Sequence, residues 1–167
     1  QIISITAPHD PVQIGQTITA TVNFSDPDVN DIHTATWEWG DGSITTVTAV
    51  QPTVSTDHAY DIPGVYTITV TIPDYAVESD IAIHQYVVIY DPDGGFVTGG
   101  GWIWSPSGAY TSQPNLEGRA NFGFVSRYKK GQTTPDGNTQ FQFCAADLNF
   151  HCTDYEWLVI SGFKAQF

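Results

Sequence analysis

The sequence predicts an all-β protein: a β-sandwich over residues 1–90, a short linker at 91–95 and a second β-rich domain over 96–167. Three observations carry this. Thr, Val, Ile, Tyr, Phe and Trp are abundant, Leu is scarce and Met is absent, a choice of side chains that suits a pleated, half-buried surface. Apolar residues alternate with polar ones, with no segment showing helical periodicity. Fifteen Gly and ten Pro punctuate the chain, and turn signals recur about every 8–12 residues, as short strands require.

Residues 2–6 read as a first strand, broken by Pro8 and Pro11. Residues 16–24 alternate strictly, with Ile18, Ala20, Val22 and Phe24 on one side and Thr17, Thr19, Thr21 and Asn23 on the other. That is a strand with one wet face. An acidic loop follows at 25–32, then a strand at 34–39. Gly40-Asp41-Gly42-Ser43 ends it with strong turn chemistry. Residues 44–50 form the return strand, 65–72 alternate again and 81–90 make a long last strand. Asp91-Pro92-Asp93-Gly94-Gly95 is polar and rich in breakers, which places the domain boundary there. Beyond it, 96–103, 118–128, 140–144, 149–154 and 156–160 are strand candidates, and 132–138 reads as an exposed turn.

All five basic residues lie after residue 93, whereas residues 1–93 hold thirteen of the eighteen acids. Such an acidic first domain has no face for phosphate, which argues against nucleic acid and anionic membranes. It favours solubility and divalent cations. No run approaches the ~20 apolar residues of a membrane helix, so membrane insertion is not expected. The lack of Met and the immediate start of a strand read as a segment of a longer precursor.

Two motifs narrow the fold. Trp37-Glu38-Trp39-Gly40-Asp41-Gly42-Ser43 is followed by His58-Ala59-Tyr60 and then by Gly64-Val65-Tyr66 opening an alternating strand. This order and spacing resemble the PKD (polycystic kidney disease) domain over about residues 1–90. The resemblance implies an immunoglobulin-like sandwich with extracellular, non-catalytic roles: spacer, adhesion module, or accessory domain of a secreted hydrolase. Trp37 and Trp39 share one face and are expected in the core. Asp41 is expected to cap the turn, and Tyr60 or Tyr66 to make a corner hydrogen bond. The segments around Gly99-Gly100-Gly101-Trp102 and 118–131 look like a β-rich module that follows PKD repeats in prokaryotic surface proteins. Ala165-Gln166-Phe167 still reads as strand, so that domain is either truncated or completed by strands from a neighbouring subunit.

The candidate sites are few. Asp26, Asp28, Asn30 and Asp31 cluster oxygens in six residues, which is either a Ca²⁺ site or a turn made of turn-forming residues. Cys144 and Cys152 flank a plausible turn and are expected to close it as a disulfide, the alternative being two buried reduced thiols. Trp102 and Trp104 fall on one face with Tyr110 nearby; they fill the second core or, if exposed, stack on sugar rings, and the sequence favours the core. Asn23-Phe24-Ser25 is a formal glycosylation sequon, and the Ser/Thr-rich strands offer sites for O-glycans. No nucleophile elbow, phosphate loop or zinc-protease motif is present. The expectation is a secreted, non-enzymatic structural or adhesive protein. Its subunits would associate, as oligomer or filament, by strand addition. The alternative is a polysaccharide- or matrix-binding module of a secreted hydrolase. No cofactor is required beyond the candidate Ca²⁺.

Overall fold

A computed structural model describes residues 1–28, 31–73 and 79–167. Among these residues the regular structure is β throughout, apart from one turn of 3₁₀ helix at Cys144–Ala146. None of the described helices is long and apolar enough to cross a membrane. The chain divides into two compact units, Gln1–Asp91 and Pro92–Phe167.

The first unit holds β1 (Ile2–Thr6), β2 (Val12–Gln13), β3 (Thr17–Phe24), β4 (His33–Glu38), β5 (Ile44–Ala49), β6 (Thr53–Ala59), β7 (Gly64–Ile72) and β8 (Asp80–Tyr90). They form a three-stranded sheet, β1-β3-β6, and a five-stranded sheet, β2-β8-β7-β4-β5. All pairings are antiparallel except β2 with β8. This is an immunoglobulin-like sandwich. Its core follows from strand alternation: Ile18, Ala20, Val22 and Phe24 of β3 are buried, as are Ala35 and Trp37 of β4, Ile68 and Val70 of β7, and Val87 and Ile89 of β8. On the outer faces, hydroxyl residues pair across strands, as in Thr21 Oγ1 with Ser55 Oγ at 2.8 Å and Thr19 Oγ1 donating to Asp57 at 2.6 Å. These pairs satisfy polar side chains at the surface, where the strands meet water.

The second unit adds β9 (Phe96–Ser105), β10 (Gly118–Arg127), β11 (Asp136–Phe143), β12 (Leu148–Asp154), β13 (Val159–Ser161) and β14 (Lys164–Gln166). β9 to β12 form an antiparallel meander, and β13 pairs with β14 as a hairpin. Ala120, Ser126, Pro135, Phe143, Tyr155, Leu158 and Val159 are its buried residues. Tyr128 ties the hairpin approach down, its hydroxyl donating to the Leu158 carbonyl at 3.1 Å and accepting from the Leu158 N–H at 2.9 Å.

Three sequence expectations change here. The expected turn at 132–138 ends earlier, because Asp136, Gly137 and Asn138 already pair with Arg127, Ser126 and Val125. β6 is a strand where the sequence reading placed none: its inward positions include Thr56 and His58, so hydrophobic alternation is weak there. The disulfide does not form. Cys144 and Cys152 are free thiols. Phe143 faces Leu148 across the turn, whereas Cys152 faces Thr139. Cys144 therefore lies five positions away along the strand, roughly 16 Å at ~3.3 Å per residue, beyond the ~7 Å Cα separation a disulfide spans.

Candidate functional site

The signature residues of the first unit gather at one end of β4. Gly40 adopts φ +84°, and a Cβ on it would lie 2.7 Å from the Thr67 carbonyl oxygen. Only glycine fits this close approach in the left-handed region. Asp41 then accepts from the Ser43 N–H at 2.8 Å and sits 2.8 Å from His58 Nε2. Around this turn the rings form a continuous stack. Trp39 is parallel to Trp37, with centroids 5.8 Å apart, and to His58 at 4.6 Å. His58 meets Tyr60 edge-on at 4.6 Å, and Tyr60 stacks on Tyr66 at 4.2 Å. A side chain at Gly64 would collide with the Tyr66 ring.

Most polar heads of this stack are bonded, whereas Trp37 Nε1 is buried without a hydrogen-bond partner among the described residues. Tyr60 Oη donates to the Trp39 carbonyl at 2.9 Å, and Tyr66 Oη to the Ile62 carbonyl at 2.7 Å. Trp39 Nε1 donates to Thr45 Oγ1 at 2.9 Å. Burial, with the Asp41 charge beside them, pushes both phenols above the ordinary tyrosine range. Burial alone would raise the Asp41 carboxyl as well, but hydrogen bonds from Ser43 and His58 outweigh it and hold the pKa below the usual value. Asp41 stays ionised and the phenols stay protonated, the states in which each makes its structural bond. The cluster is a lock on the turn, as the sequence expected.

The second unit offers a different surface. Strand alternation along the meander separates its residues onto two faces. One face carries Ile103, Ala120, Phe143 and Leu148 in one row and Gly101, Phe122, Phe141 and Phe150 in another. The run Gly99-Gly100-Gly101 now has a reason. Cβ atoms at Gly99 and Gly101 would fall 2.6 Å and 3.2 Å from the rings of Phe124 and Phe122, which lie across the strand where side chains would stand.

The other face is polar and aromatic. Trp104 stands opposite Arg119, and the next row runs Trp102, Asn121, Gln142, Asn149. Beside it lies the row Gly100, Gly123, Gln140, His151, whose first two members leave a bare strip next to Trp102. Trp102 is 57% exposed and Trp104 59%. The expectation that they fill the second core is overturned: nothing in the second unit's own strands covers this face. The Arg119 guanidinium lies 5.0 Å from the centre of the Trp102 ring, and its Nε donates to Asn121 Oδ1 at 2.9 Å, which holds the row in place. Tyr110 does not join the pair. Its ring packs edge-on against Phe143, 6.2 Å between centroids, on the apolar side. Arg119, Asn121, Gln142 and Asn149 were missed from sequence. Their signal was present as polar residues at spacing two in 119–121, 140–142 and 149–151, but alternation gives no register between strands.

The sequence profile of the PKD domain matches residues 2–88. The chain belongs to the PKD domain family. PKD domains are non-catalytic immunoglobulin-like modules of extracellular and surface proteins. Neither the curated proteins nor the solved structures offer a match.

Two further candidates lie in the PKD unit. Asp26, Asp28 and Asp31 place one carboxylate oxygen each within 4.8 Å of one another; Asn30 lies outside the described residues. Asn23 sits in β3, the central strand of its sheet rather than at an edge. Its amide donates to Ser4 Oγ at 3.0 Å and accepts from Thr53 Oγ1 at 2.9 Å. In the folded sheet the sequon nitrogen is thus engaged in a cross-strand bond.

Proposed function

We propose that this chain is a secreted adhesive module in which the PKD unit is a non-catalytic scaffold and the polar face of the second sheet binds neutral polysaccharide. The single observation behind this reading is the exposure of Trp102 and Trp104 side by side on a face that also carries Arg119, Asn121, Gln142, Asn149 and His151. A pyranose ring presents an apolar face to an indole and hydroxyls around its rim, and amides that both donate and accept suit those hydroxyls. The two tryptophans lie two residues apart on one strand, roughly 7 Å, so adjacent sugar units meet adjacent rings. The strip of Gly100 and Gly123 leaves room for the chain to lie flat beside them. After residue 93 the five basic residues are matched by five acids, which favours an uncharged ligand over an acidic one. Catalysis has no part in this reading.

Affinity electrophoresis through gels containing soluble β-glucans, xylans or mannans tests it, with pull-down on insoluble glycans alongside. The wild-type chain is expected to be retarded by at least one glycan, and Trp102→Ala and Trp104→Ala to run as in a blank gel. No retardation by any of them would overturn the assignment.

A second reading rests on the opposite face. Ile103, Phe122 and Phe150 are 50%, 36% and 52% exposed there. Contiguous exposed apolar surface of this kind marks an interaction site. Its occupant in this reading is a second copy of the chain, docked over the phenylalanine rows and extending the meander at β9 or β12, whose outer edges are unpaired in the second unit's sheet. Repeated head to tail, such contacts build a filament. Sedimentation velocity over a hundredfold concentration range decides: association that Phe150→Ser weakens supports it, and a constant monomer mass rejects it.

A further inference from the structure

On the apolar face of the second unit, the end of β12 borders a cavity of about 370 Å³. Its floor follows from strand alternation. Phe150, Cys152 and Asp154 stand at spacing two on β12, and Thr139 of β11 lies opposite Cys152. Beyond Asp154 the chain leaves the strand, and Tyr155, Glu156 and Trp157 line the cavity in succession. Tyr155 is buried, and its hydroxyl is bonded to Thr139 Oγ1, which fixes the ring against the floor. The Phe167 ring completes the lining, its centre 5.5 Å from that of Tyr155 and its plane inclined by 55°, so the two rings make a corner.

Four aromatic rings and two carboxylates therefore meet at one cavity, and no basic residue lines it. Asp154 and Glu156 are both exposed, and among the described residues neither carboxylate has a hydrogen-bond or ion-pair partner. Asp136 on β11 is different, since Lys129 Nζ lies 3.1 Å from it. Aromatic walls with unbalanced negative charge suit a compact organic cation: ring faces attract it, and the carboxylates supply its counter-charge. The lining also selects among cations. A primary ammonium brings three N–H donors that need acceptors, whereas a quaternary ammonium presents only methyl groups to the rings.

We infer that this cavity is a binding site for a quaternary ammonium group, with Tyr155, Trp157 and Phe167 packed against its methyl groups and Asp154 and Glu156 balancing its charge. The volume lies at the small end of ligand sites and suits a choline-sized head group. The site does not depend on the tryptophan platform, which occupies the opposite face of the same sheet.

The test titrates the full chain with choline, following the Trp157 indole N–H by NMR, beside neohexanol, its uncharged carbon isostere, and N-acetyl-lysine amide, a primary ammonium. Choline is expected to bind at one site per chain, about tenfold or more tighter than either of the others. Asp154→Asn and Glu156→Gln should each weaken it severalfold; both side chains are exposed, so these variants keep the fold. Glu117→Gln removes an exposed acid outside the cavity, and Trp104→Ala alters the polar face; both should leave choline binding unchanged. The two free thiols locate the ligand. Cys152 lines the cavity and Cys144 does not, so saturating choline should slow alkylation of Cys152 by iodoacetamide and spare Cys144. Neohexanol or the lysine amide binding as tightly as choline, wild-type affinity in both Asp154→Asn and Glu156→Gln, or no protection of Cys152 would each overturn the assignment.

Discussion

Both units contain a Trp-x-Trp pair on a strand, and the two pairs meet opposite fates. Trp37 and Trp39 are fully buried, whereas Trp102 and Trp104 are more than half exposed. Their local pattern is the same, and their surroundings are not. β4 lies inside a five-stranded sheet facing a second sheet, so its inward face must fill a core. β9 is the edge strand of the meander, and the residues beside its tryptophans on β10 to β12 are Arg, Asn and Gln. An indole packed between layers stabilises a fold; an indole on an open polar face is free to meet a ligand.

The largest expected effect separates the two pairs by stability. Trp37→Ala removes a fully buried indole and should destabilise the PKD unit by about 3–5 kcal/mol, read from chemical denaturation. Trp104→Ala should change stability by no more than about 0.5 kcal/mol and act on ligand binding instead. Equal losses at both positions would erase the distinction between core and platform.

Within the PKD unit the two tyrosines sharpen the contrast. Tyr60→Phe leaves the buried Trp39 carbonyl without its donor and should cost about 1–2 kcal/mol. Tyr66→Phe, whose bond to Ile62 is exposed, should cost little, because water replaces the lost donor. In the second unit, Gly99→Ala forces the Phe124 ring off the strand and out of its packing on Phe167, 5.3 Å away. About 1 kcal/mol is expected, measured as a shift of that unit's unfolding midpoint.

The smallest effect is a pH dependence confined to the PKD unit. Burial, reinforced by the neighbouring His9 ring 5.1 Å away, lowers the His84 pKa below 6.5, against a backbone bond to Pro8 that raises it. The folded imidazole therefore resists a proton that the unfolded chain accepts. Stability present above pH 6.5 is lost as the pH falls from there through the lowered folded value. Urea midpoints between pH 7.5 and 5.5 should decline in the wild type and flatten in His84→Gln.

Much of the PKD unit was legible because its rules are local. β3 announces itself through four inward apolar residues at spacing two, and Gly40-Asp41-Gly42 through turn chemistry that works the same in any fold. β6 was obscured because Thr56 and His58 occupy inward positions. The turn residues Asp136-Gly137-Asn138 were misread because pairing with β10 overrides their turn preference. The tryptophan platform was half legible: Trp102 and Trp104 were seen together, Tyr110 was wrongly joined to them, and Arg119 and the amides were missed.

Alone, the amino-acid order determined that this chain is β throughout, that its first half belongs to a PKD sandwich, and where its tightest turn lies. Each of these depends on neighbours within a few residues. Tertiary structure decided the rest, since only strand pairing and layer packing bring distant residues together. Register kept Cys144 from Cys152, laid Phe122 and Phe124 across the glycine run, and set Asn121, Gln142 and Asn149 in line with Trp102. The packing of β4 brought the buried His33 imidazole to within 3.6 Å of the Asp26 carboxylate.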